Sequence, residues 1–378
     1  MVELDFRQLH VIILLALEYP QGLFFERNIM TCYNPIHACY SKSEYARSGK
    51  KRIHLVLNED TREKYLLNEQ DYPHALYQYL YVPCGKCVGC RSDNAKMWSL
   101  RAQNELKMHK FNCFITLTYN NESPTFQKDP LCIASLRYKH FQNFMKRLRK
   151  RFPDDDIRYL VCGEYGPKDG RAHWHAILFG FDFPDKELIY VSKGYNHYSS
   201  QILEECWSDY DRDTKTYFSI GFVDLADVDE DCCNYVSQYV LKKLPIEQDN
   251  IVVDYTEDGE PVKLEGRCPP MIKSSRNPAI GLRWFEKYGR TAVEKGYIDV
   301  PNKERTGRRK IKTPAYYFSK FEQSDPIIAA KIKKFKEEKM REYYKKHPVD
   351  HDKLKRWQES HLYRVNKAIK KALTKFLK

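Results

Sequence analysis

The segment Ile157–Phe181, IRYLVCGEYGPKDGRAHWHAILFGF, contains the pattern that decides the fold. Two runs rich in β-branched and aromatic residues, Ile157–Glu164 and Ala172–Phe181, flank the residues Gly166–Gly170. Glycine, proline and aspartate in that short stretch are typical of a tight turn. The sequence therefore predicts an antiparallel β-hairpin, in which residues of the two strands lie opposite each other.

Two histidines of this hairpin form a candidate metal site. Residues two apart on a strand share a face, so His173 and His175 should project side by side, with Trp174 in the core behind them. The turn should bring Glu164 beside His173, on the same face if the register allows. Two imidazoles and a carboxylate can hold Mg²⁺ or Mn²⁺ and polarise a phosphate oxygen. The alternative is a pair of hydrogen-bonded sheet histidines and a glutamate paired with a lysine.

Hydrophobic patterning predicts further elements on both sides of the hairpin. A strand is predicted at Phe111–Tyr119, and helices are predicted at Asp93–His109, Leu136–Phe152 and Asp229–Leu244. The apolar stripe of the middle helix is formed by Phe141, Phe144, Met145 and Leu148. Mixed helices and antiparallel strands indicate an α+β fold.

The helix predicted at Asp229–Leu244 carries a candidate nucleophile pair. Tyr235 and Tyr239 are four residues apart and share a helix face, and Lys242 follows three residues later. A phenol is a poor nucleophile unless nearby positive charge favours its oxyanion, which a metal and an ammonium group can supply. Among 28 tyrosines such spacing also arises by chance, so two packing aromatics are the alternative.

Three motifs stand together in the order found in HUH endonucleases, which the chain resembles. They are FITLTY (Phe114–Tyr119), CGEYG followed by RAHWHAILF (Cys162–Phe179), and YVSQYVLKK (Tyr235–Lys243). The chain is more closely similar to replication-initiation proteins of microviruses, small single-stranded DNA phages, especially the gokushovirus branch. The further blocks that carry this resemblance are MTCYNP (Met30–Pro35), PCGKCVGCR (Pro83–Arg91) and SRNPAIG (Ser275–Gly281).

The resemblance implies a fold and a reaction. The fold would be an antiparallel sheet of about five strands flanked by helices, with the histidine strand central and the tyrosine helix beside it. One tyrosine would attack a phosphodiester at the origin of a circular DNA, form a 5′-phosphotyrosine link and free a 3′-OH for rolling-circle synthesis. The second would cut the regenerated origin before the circle is rejoined. By position, His173 and His175 would bind metal, Tyr235 and Tyr239 would be nucleophiles, and Lys242 would assist. The single-stranded or nicked origin, a host helicase and a host polymerase are the implied partners.

A cysteine cluster precedes the nuclease motifs. Cys84, Cys87 and Cys90 have the C-x2-C-x2-C spacing of metal ligands, and three thiolates can hold a structural Zn²⁺ if a fourth ligand joins them. Cys32 is the first candidate for that ligand, because it belongs to another block of the resemblance; Cys39 and Cys113 are the alternatives. Three reduced packing residues are the competing interpretation.

Charge and cysteine content restrict the partners and the compartment. Residues 301–378 contain 24 basic and 9 acidic residues, whereas the other 300 contain 40 and 42, so the net charge of +13 resides in the tail. A basic tail on a near-neutral body indicates a nucleic-acid partner. Sparse cysteines and no convincing secretion signal indicate the reducing cytoplasm of a bacterial host. The apolar run Val11–Leu17 is too short to span a bilayer, and no membrane partner is expected.

These patterns divide the chain into five predicted segments. The first, 1–29, is an N-terminal extension expected to be dispensable, because Met30 looks like a second natural start. The others are a Cys-cluster region and helix (30–110), the HUH nuclease core (111–245), a core elaboration (246–300) and a basic, mostly helical tail (301–378). Within the tail, 301–313 is predicted to be a linker.

Three alternatives to a replication initiator are considered. A relaxase or single-strand transposase would share the chemistry but not the additional blocks. A non-catalytic basic DNA-binding protein would leave the metal site and paired tyrosines as coincidence. A phosphodiesterase with a metal-activated water would cut DNA without forming a covalent adduct.

Overall fold

The computed structural model describes most of the chain between residues 32 and 363. The described residues are 32–45, 51–55, 77–120, 123, 135–165, 171–192, 194–242, 253–255, 261–263, 268, 270–301, 307–346, 350 and 352–363. The predicted extension 1–29 and the predicted turn Gly166–Gly170 lie outside them.

Contacts between residues divide the described chain into two compact units. The first unit contains the described residues of Asn94–Lys339, and the second joins those of Gln21–Asp93 to those of Met340–Lys378. The second unit thus draws on both ends of the described chain. The segment boundaries drawn from the sequence follow chain order and stay a prediction.

The elements alternate between strands and helices in the manner of an α+β protein. The strands are β1 (Ile36–Tyr45), β2 (Lys51–Leu55), β3 (Tyr77–Val82), β4 (Asn112–Thr118), β5 (Arg158–Tyr165), β6 (Ala172–Phe179), β7 (Glu187–Ser192), β8 (Tyr195–Ser199), β9 (Ser208–Asp211), β10 (Thr216–Ser219), β11 (Val223–Ala226), β12 (Val253–Tyr255), β13 (Pro261–Lys263), β14 (Met271–Ser274), β15 (Tyr297–Pro301) and β16 (Arg308–Lys312). The helices are α1 (Val88–Leu106), α2 (Tyr138–Arg151), α3 (Gln201–Cys206), α4 (Glu230–Lys242), α5 (Leu282–Trp284), α6 (Arg290–Lys295), α7 (Ala315–Ser324) and α8 (Pro326–Lys346), with a π-helical turn at Phe285–Gly289 and a further helix at 352–363.

A seven-stranded sheet forms the centre of the first unit. Its order is β14-β5-β6-β4-β11-β8-β7, and each neighbouring pair is antiparallel. The predicted hairpin of β5 and β6 is confirmed, and β6 lies inside the sheet between β5 and β4. The resemblance implied about five strands; the sheet has seven because the hairpin of β7 and β8 extends it beyond β11.

One face of this sheet packs against α2. The apolar stripe predicted from the sequence is confirmed, because Phe141, Phe144, Met145 and Leu148 are all buried there. Trp174 is fully buried in the same cluster, and it lies opposite Gly163 on β5. A Cβ atom at residue 163 would approach the Trp174 ring to 2.6 Å, so only glycine leaves room for the indole.

The other face of the sheet packs against α1 and α4. Cys162 of β5 and Ile177 of β6 cluster there with Cys233 and Val236 of the tyrosine helix, and all four are fully buried. Strand alternation therefore separates the two faces, and it directs Glu164, His173 and His175 toward the α4 side.

The predicted linker 301–313 is partly wrong. Arg308–Lys312 forms strand β16, which pairs with β15 because the alternating pattern of this segment places Ile311 against the body of the protein. Beyond it the described tail is mostly helical, as predicted. However, Tyr317 and Phe321 of α7 are buried in one cluster with Leu100 of α1, so the first part of the basic tail belongs to the folded first unit.

The second unit contains the three-stranded antiparallel sheet β2-β1-β3. Ile36 at the start of β1 pairs with Val82 at the end of β3, so the residues before β1 and after β3 emerge at one end of the sheet. Across the described helices of both units, none combines the length and apolarity needed to cross a bilayer.

Candidate active site

The hairpin register brings three predicted ligands together. Glu164 pairs directly with His173 across β5 and β6, and His175 lies two residues further along the same strand. The register condition on which Glu164 depended is thus met. Their ligand atoms all lie within 4.8 Å of one another.

One carboxylate oxygen is the meeting point of both imidazoles. Glu164 Oε1 lies 3.1 Å from His173 Nε2 and 3.0 Å from His175 Nε2. His173 Nδ1 lies 3.0 Å from the carbonyl oxygen of Arg171, which can only accept a hydrogen bond. In the neutral ring the proton therefore resides on Nδ1, and the lone pair of Nε2 points toward Glu164.

A residue that the sequence did not single out orients the second histidine. Thr116 of β4 is the cross-strand partner of His175, and its hydroxyl oxygen lies 3.0 Å from His175 Nδ1. If Nδ1 donates to this hydroxyl, Nε2 again presents a lone pair to the site. Phe114 stacks on the other side of the ring, with centroids 5.8 Å apart and an interplanar angle of 16°. The alternation in FITLTY could have shown that Phe114 and Thr116 share a face, but not that this face adjoins the histidines.

Tyr235 reaches the same group of atoms from helix α4. Its Oη lies 3.4 Å from both Glu164 Oε1 and His175 Nε2, and its ring meets the His175 ring edge-on at 5.3 Å. The side chain is half-buried, so the hydroxyl is at the site while part of the residue remains accessible.

Packing and capping hold α4 in this position. Cys233 and Val236 anchor it on the sheet, and burial raises the pKa of the Cys233 thiol well above its ordinary value, which keeps it neutral. The carboxylate of Asp229 accepts hydrogen bonds from the backbone N–H groups of Asp231 and Cys232, an N-terminal cap. Near the same end, Asn234 accepts a hydrogen bond from Ser99 of α1.

The other two predicted catalytic residues are placed only by their backbone. Tyr239 lies one turn beyond Tyr235, and Lys242 is the last residue of α4. Their side chains lie outside the described part of the structure. Their assigned roles remain predictions.

The ligand set fits a small divalent cation. Neutral imidazole nitrogens and a carboxylate oxygen, 3.0 and 3.1 Å apart, are spaced like neighbouring ligands around one ion with bonds of about 2.1 Å. Without a cation or an added proton, the lone pairs of His173 and His175 face an oxygen that also only accepts. Positive charge at this point would satisfy all three groups.

The cysteine cluster is a separate group in the second unit. Cys32 joins Cys84, Cys87 and Cys90, and their four sulfurs lie within 4.8 Å of one another. The pKa of Cys87 is lowered, because its sulfur accepts hydrogen bonds from the Cys32 and Cys90 thiols and from backbone N–H groups. The two alternative fourth ligands do not appear in this group: Cys113 is buried in the core of the first unit, and the side chain of Cys39 lies outside the described part.

Comparison with known families supports a replication protein. The family model for replication-associated proteins of the ORF2 type matches residues 112–244, which contain the hairpin, β4 and the tyrosine helix. No solved structure gave a significant match.

Three curated phage proteins are similar to the chain. Replication-associated protein VP4 of Bdellovibrio phage phiMH2K is 31% identical over 58% of this chain and 62% of its own length. Replication-associated protein ORF2 of Spiroplasma virus 4 is 30% identical over 71% of this chain and 72% of its own. Replication-associated protein ORF4 of Chlamydia phage 1 is 30% identical over 57% and 49%, so the matched region spans about half of that relative.

Proposed function

This chain belongs to the family of phage replication-associated proteins, and from that membership we propose that it is an HUH-type nicking and joining enzyme that starts rolling-circle replication. In this proposal it cuts one strand of a circular DNA at its origin by tyrosine transesterification. A phage protein of this kind acts within the infected host cell, and the bacterial cytoplasm, a host helicase and a host polymerase stay predictions.

The position of the Tyr235 hydroxyl is the observation that carries the proposal. A purely structural tyrosine would not need its oxygen 3.4 Å from both a histidine nitrogen and the carboxylate that joins two histidines. A phenol is a useful nucleophile only where its oxyanion is favoured. The site brings the phenol and a cation-binding ligand set within one atom of each other.

The proposed step exchanges one phosphodiester bond for another. Tyr235 Oη forms a bond to the phosphorus at the origin, and the bond from phosphorus to the 3′ oxygen breaks. The phenol proton leaves Oη, and the departing 3′ oxygen takes up a proton to become the 3′-OH. A divalent cation, Mg²⁺ or Mn²⁺, held by His173, His175 and Glu164 would polarise a phosphate oxygen and favour the phenolate.

Hydrogen bonding within the protein prepares this arrangement in advance. Thr116 and the Arg171 carbonyl fix the two imidazole rings from behind, so that both Nε2 atoms face the carboxylate. In the proposal Tyr239 acts second, on the regenerated origin, because it lies one turn away on the same helix. The displaced 3′-OH then attacks the first phosphotyrosine, which restores the tyrosine and closes the circle.

Covalent trapping tests the proposal. The full-length chain is incubated with a random-sequence pool of labelled single-stranded DNA and Mn²⁺, and products are separated in SDS. We expect labelled DNA that migrates with the protein, loss of this adduct in Tyr235→Phe, and its retention in Tyr288→Phe. Tyr288 is a matched control because it is 49% exposed and remote from the hairpin in sequence.

The outcomes separate the competing functions. DNA cleavage without an adduct would indicate a metal-activated water instead of a tyrosine. Binding with neither cleavage nor adduct would indicate a non-catalytic DNA-binding protein. An adduct that persists undiminished in Tyr235→Phe would remove Tyr235 from the proposed step.

A further inference from the structure

We propose that Cys32, Cys84, Cys87 and Cys90 form a structural zinc site in the second unit, separate from the catalytic site. The sequence left the fourth ligand open among three cysteines, and the fold brings Cys32 to the other three. Four thiolates are a common closed coordination set for structural Zn²⁺.

The spacing of the sulfurs fits a single ion. Cys32 Sγ lies 3.9 Å from Cys87 Sγ, and all four sulfurs lie within 4.8 Å of one another. Sulfurs that share one tetrahedral zinc, with bonds of about 2.3 Å, lie about 3.8 Å apart. The ten described cysteines contain no disulfide, so these thiols are available as ligands.

Backbone N–H groups point at the sulfurs, as metal-bound thiolates require. Cys32 Sγ accepts from the N–H of Cys84 at 3.2 Å, and Cys84 Sγ accepts from that of Cys87 at 3.3 Å. Cys87 Sγ accepts from the N–H groups of Tyr33 and Cys90 at 3.4 and 3.5 Å. Such hydrogen bonds favour the charged thiolate over the neutral thiol.

The chain topology explains why these residues meet. The register of β1 and β3 brings the segment before Ile36 and the segment after Val82 to one end of the small sheet. Cys32 lies on the first segment and Cys84 on the second, while Cys90 lies in the first turn of α1. The cluster thus joins two segments that are far apart in sequence.

The second unit has reason to need such a link. Among its described side chains, the buried apolar residues are Cys32, Ala38, Cys87 and Val88, and two of these belong to the cluster itself. A unit with so small an apolar core is commonly stabilised by a metal or disulfides. A metal site at this position would supply that stabilisation.

The C-terminal helix 352–363 contacts the same two segments. Tyr33 Oη lies 2.8 Å from His361 Nδ1, and Asn34 donates a hydrogen bond of 3.1 Å to Gln358. Ser92 Oγ lies 3.5 Å from His361 Nε2. Loss of the metal should therefore also release the basic helix from its attachment.

Metal content of the full-length protein tests the site. After dialysis against excess Mg²⁺, we expect about one equivalent of zinc by elemental mass spectrometry, because one ion satisfies four ligands. Cys87→Ser should lose it. Cys268→Ser, outside the cluster, and His173→Ala, in the catalytic site, should both retain it.

A second measurement decides the matter if Cys87→Ser fails to fold. Cobalt exchanged into the wild-type protein should give thiolate-to-cobalt charge-transfer absorption and a tetrahedral visible spectrum. A chelator should also accelerate tryptic cleavage at Arg356 in the wild type and in Cys268→Ser alike. No zinc and no cobalt–thiolate absorption in the wild type would overturn the proposal, as would zinc that is lost from His173→Ala but kept in Cys87→Ser.

Discussion

Removal of the Thr116 hydroxyl should weaken metal binding at the catalytic site. In Thr116→Val the side chain keeps its shape, but His175 Nδ1 loses the oxygen that lies 3.0 Å away. The ring is then free to rotate, and the proton is no longer held on Nδ1. Both changes make Nε2 a poorer ligand.

The size of the effect distinguishes two explanations. The net loss of one ordinary hydrogen bond is about 1 kcal/mol, or roughly fivefold in an equilibrium constant. Loss of a group that orients a metal ligand typically costs about 10–100-fold in metal affinity, or about 1.4–2.7 kcal/mol. We expect the second range, because Thr116 controls both the orientation and the tautomer of His175.

The measurement is the Mn²⁺ concentration that gives half-maximal adduct formation. We expect it to rise about 10–100-fold in Thr116→Val. The maximal yield should stay near that of the wild type, because Tyr235 is untouched. Thr118→Val is the matched control: Thr118 is also half-buried and pairs with the other histidine, but His173 is oriented by the Arg171 carbonyl. Equal shifts in the two variants, or no shift in Thr116→Val, would refute this reasoning.

Two further predictions concern stability and DNA affinity. Arg158→Met should lower the free energy of unfolding by about 3–5 kcal/mol at neutral pH, measured by urea titration, because it leaves the buried carboxylate of Glu105, 2.8 Å from Arg158 Nε, without its cation. Burial opposes the ionisation of Glu105, but hydrogen bonds from His109 and the Gly281 N–H and the charge of Arg158 lower its pKa, so wild-type stability should be retained above the ordinary carboxyl range and lost as pH falls through the lowered pKa, and the difference between the proteins should shrink at pH 4; an equal difference at both pH values would contradict this. Neutralising exposed charges of the C-terminal helix should weaken single-stranded DNA binding and reduce its salt slope by about 0.7 for each DNA phosphate that the helix no longer neutralises, whereas an unchanged slope would show that this helix does not touch phosphate. The substitutions are Lys353→Gln, Lys355→Gln and Arg356→Gln.

Substitution of surface charges is a better test of the tail than truncation. The sequence shows a basic tail after the linker, and its composition favours deletion beyond Thr313. The structure places Tyr317 and Phe321 in a buried cluster, so such a deletion would remove part of the core. Reduced DNA affinity in the truncated protein would then have two explanations.

Local patterns in the sequence predicted the parts of the site that depend on adjacent residues. The hairpin pattern placed Glu164 opposite His173, because a tight turn fixes which residues of its two strands pair. Strand alternation placed Trp174 in the core and both histidines on the other face. Helical spacing placed Tyr235 on a helix, although its approach to the histidines depended on the resemblance to a known family.

Contacts between distant segments could not be predicted in the same way. Thr116 became visible as a positioning residue only once β4 was paired with β6, and nothing in FITLTY specifies that pairing. The block Ser275–Gly281 had no evident role in the sequence. In the structure its carbonyl and N–H groups bind Arg101, Glu105 and Arg158, so its position depends on a buried network from α1 and β5.

The extra strands have a similar cause. The segment Glu187–Ser199 has strand propensity, but its addition to the main sheet depends on two residue pairs between β8 and β11. The strand at Arg308–Lys312 was missed because its high charge resembles a linker. Its alternating Ile311 packs inward while the basic side chains remain outside, and charge alone does not exclude such a strand.

Mass spectrometry of the trapped DNA–peptide adduct tests the central claim most directly. After digestion of the wild-type adduct formed with Mn²⁺, we predict a nucleotide attached through phosphate to Tyr235, in a peptide from α4. A nucleotide found on a residue outside α4, or nicked DNA with no modified tyrosine at all, would contradict the claim that the Tyr235 oxygen beside Glu164 and His175 takes over the phosphodiester.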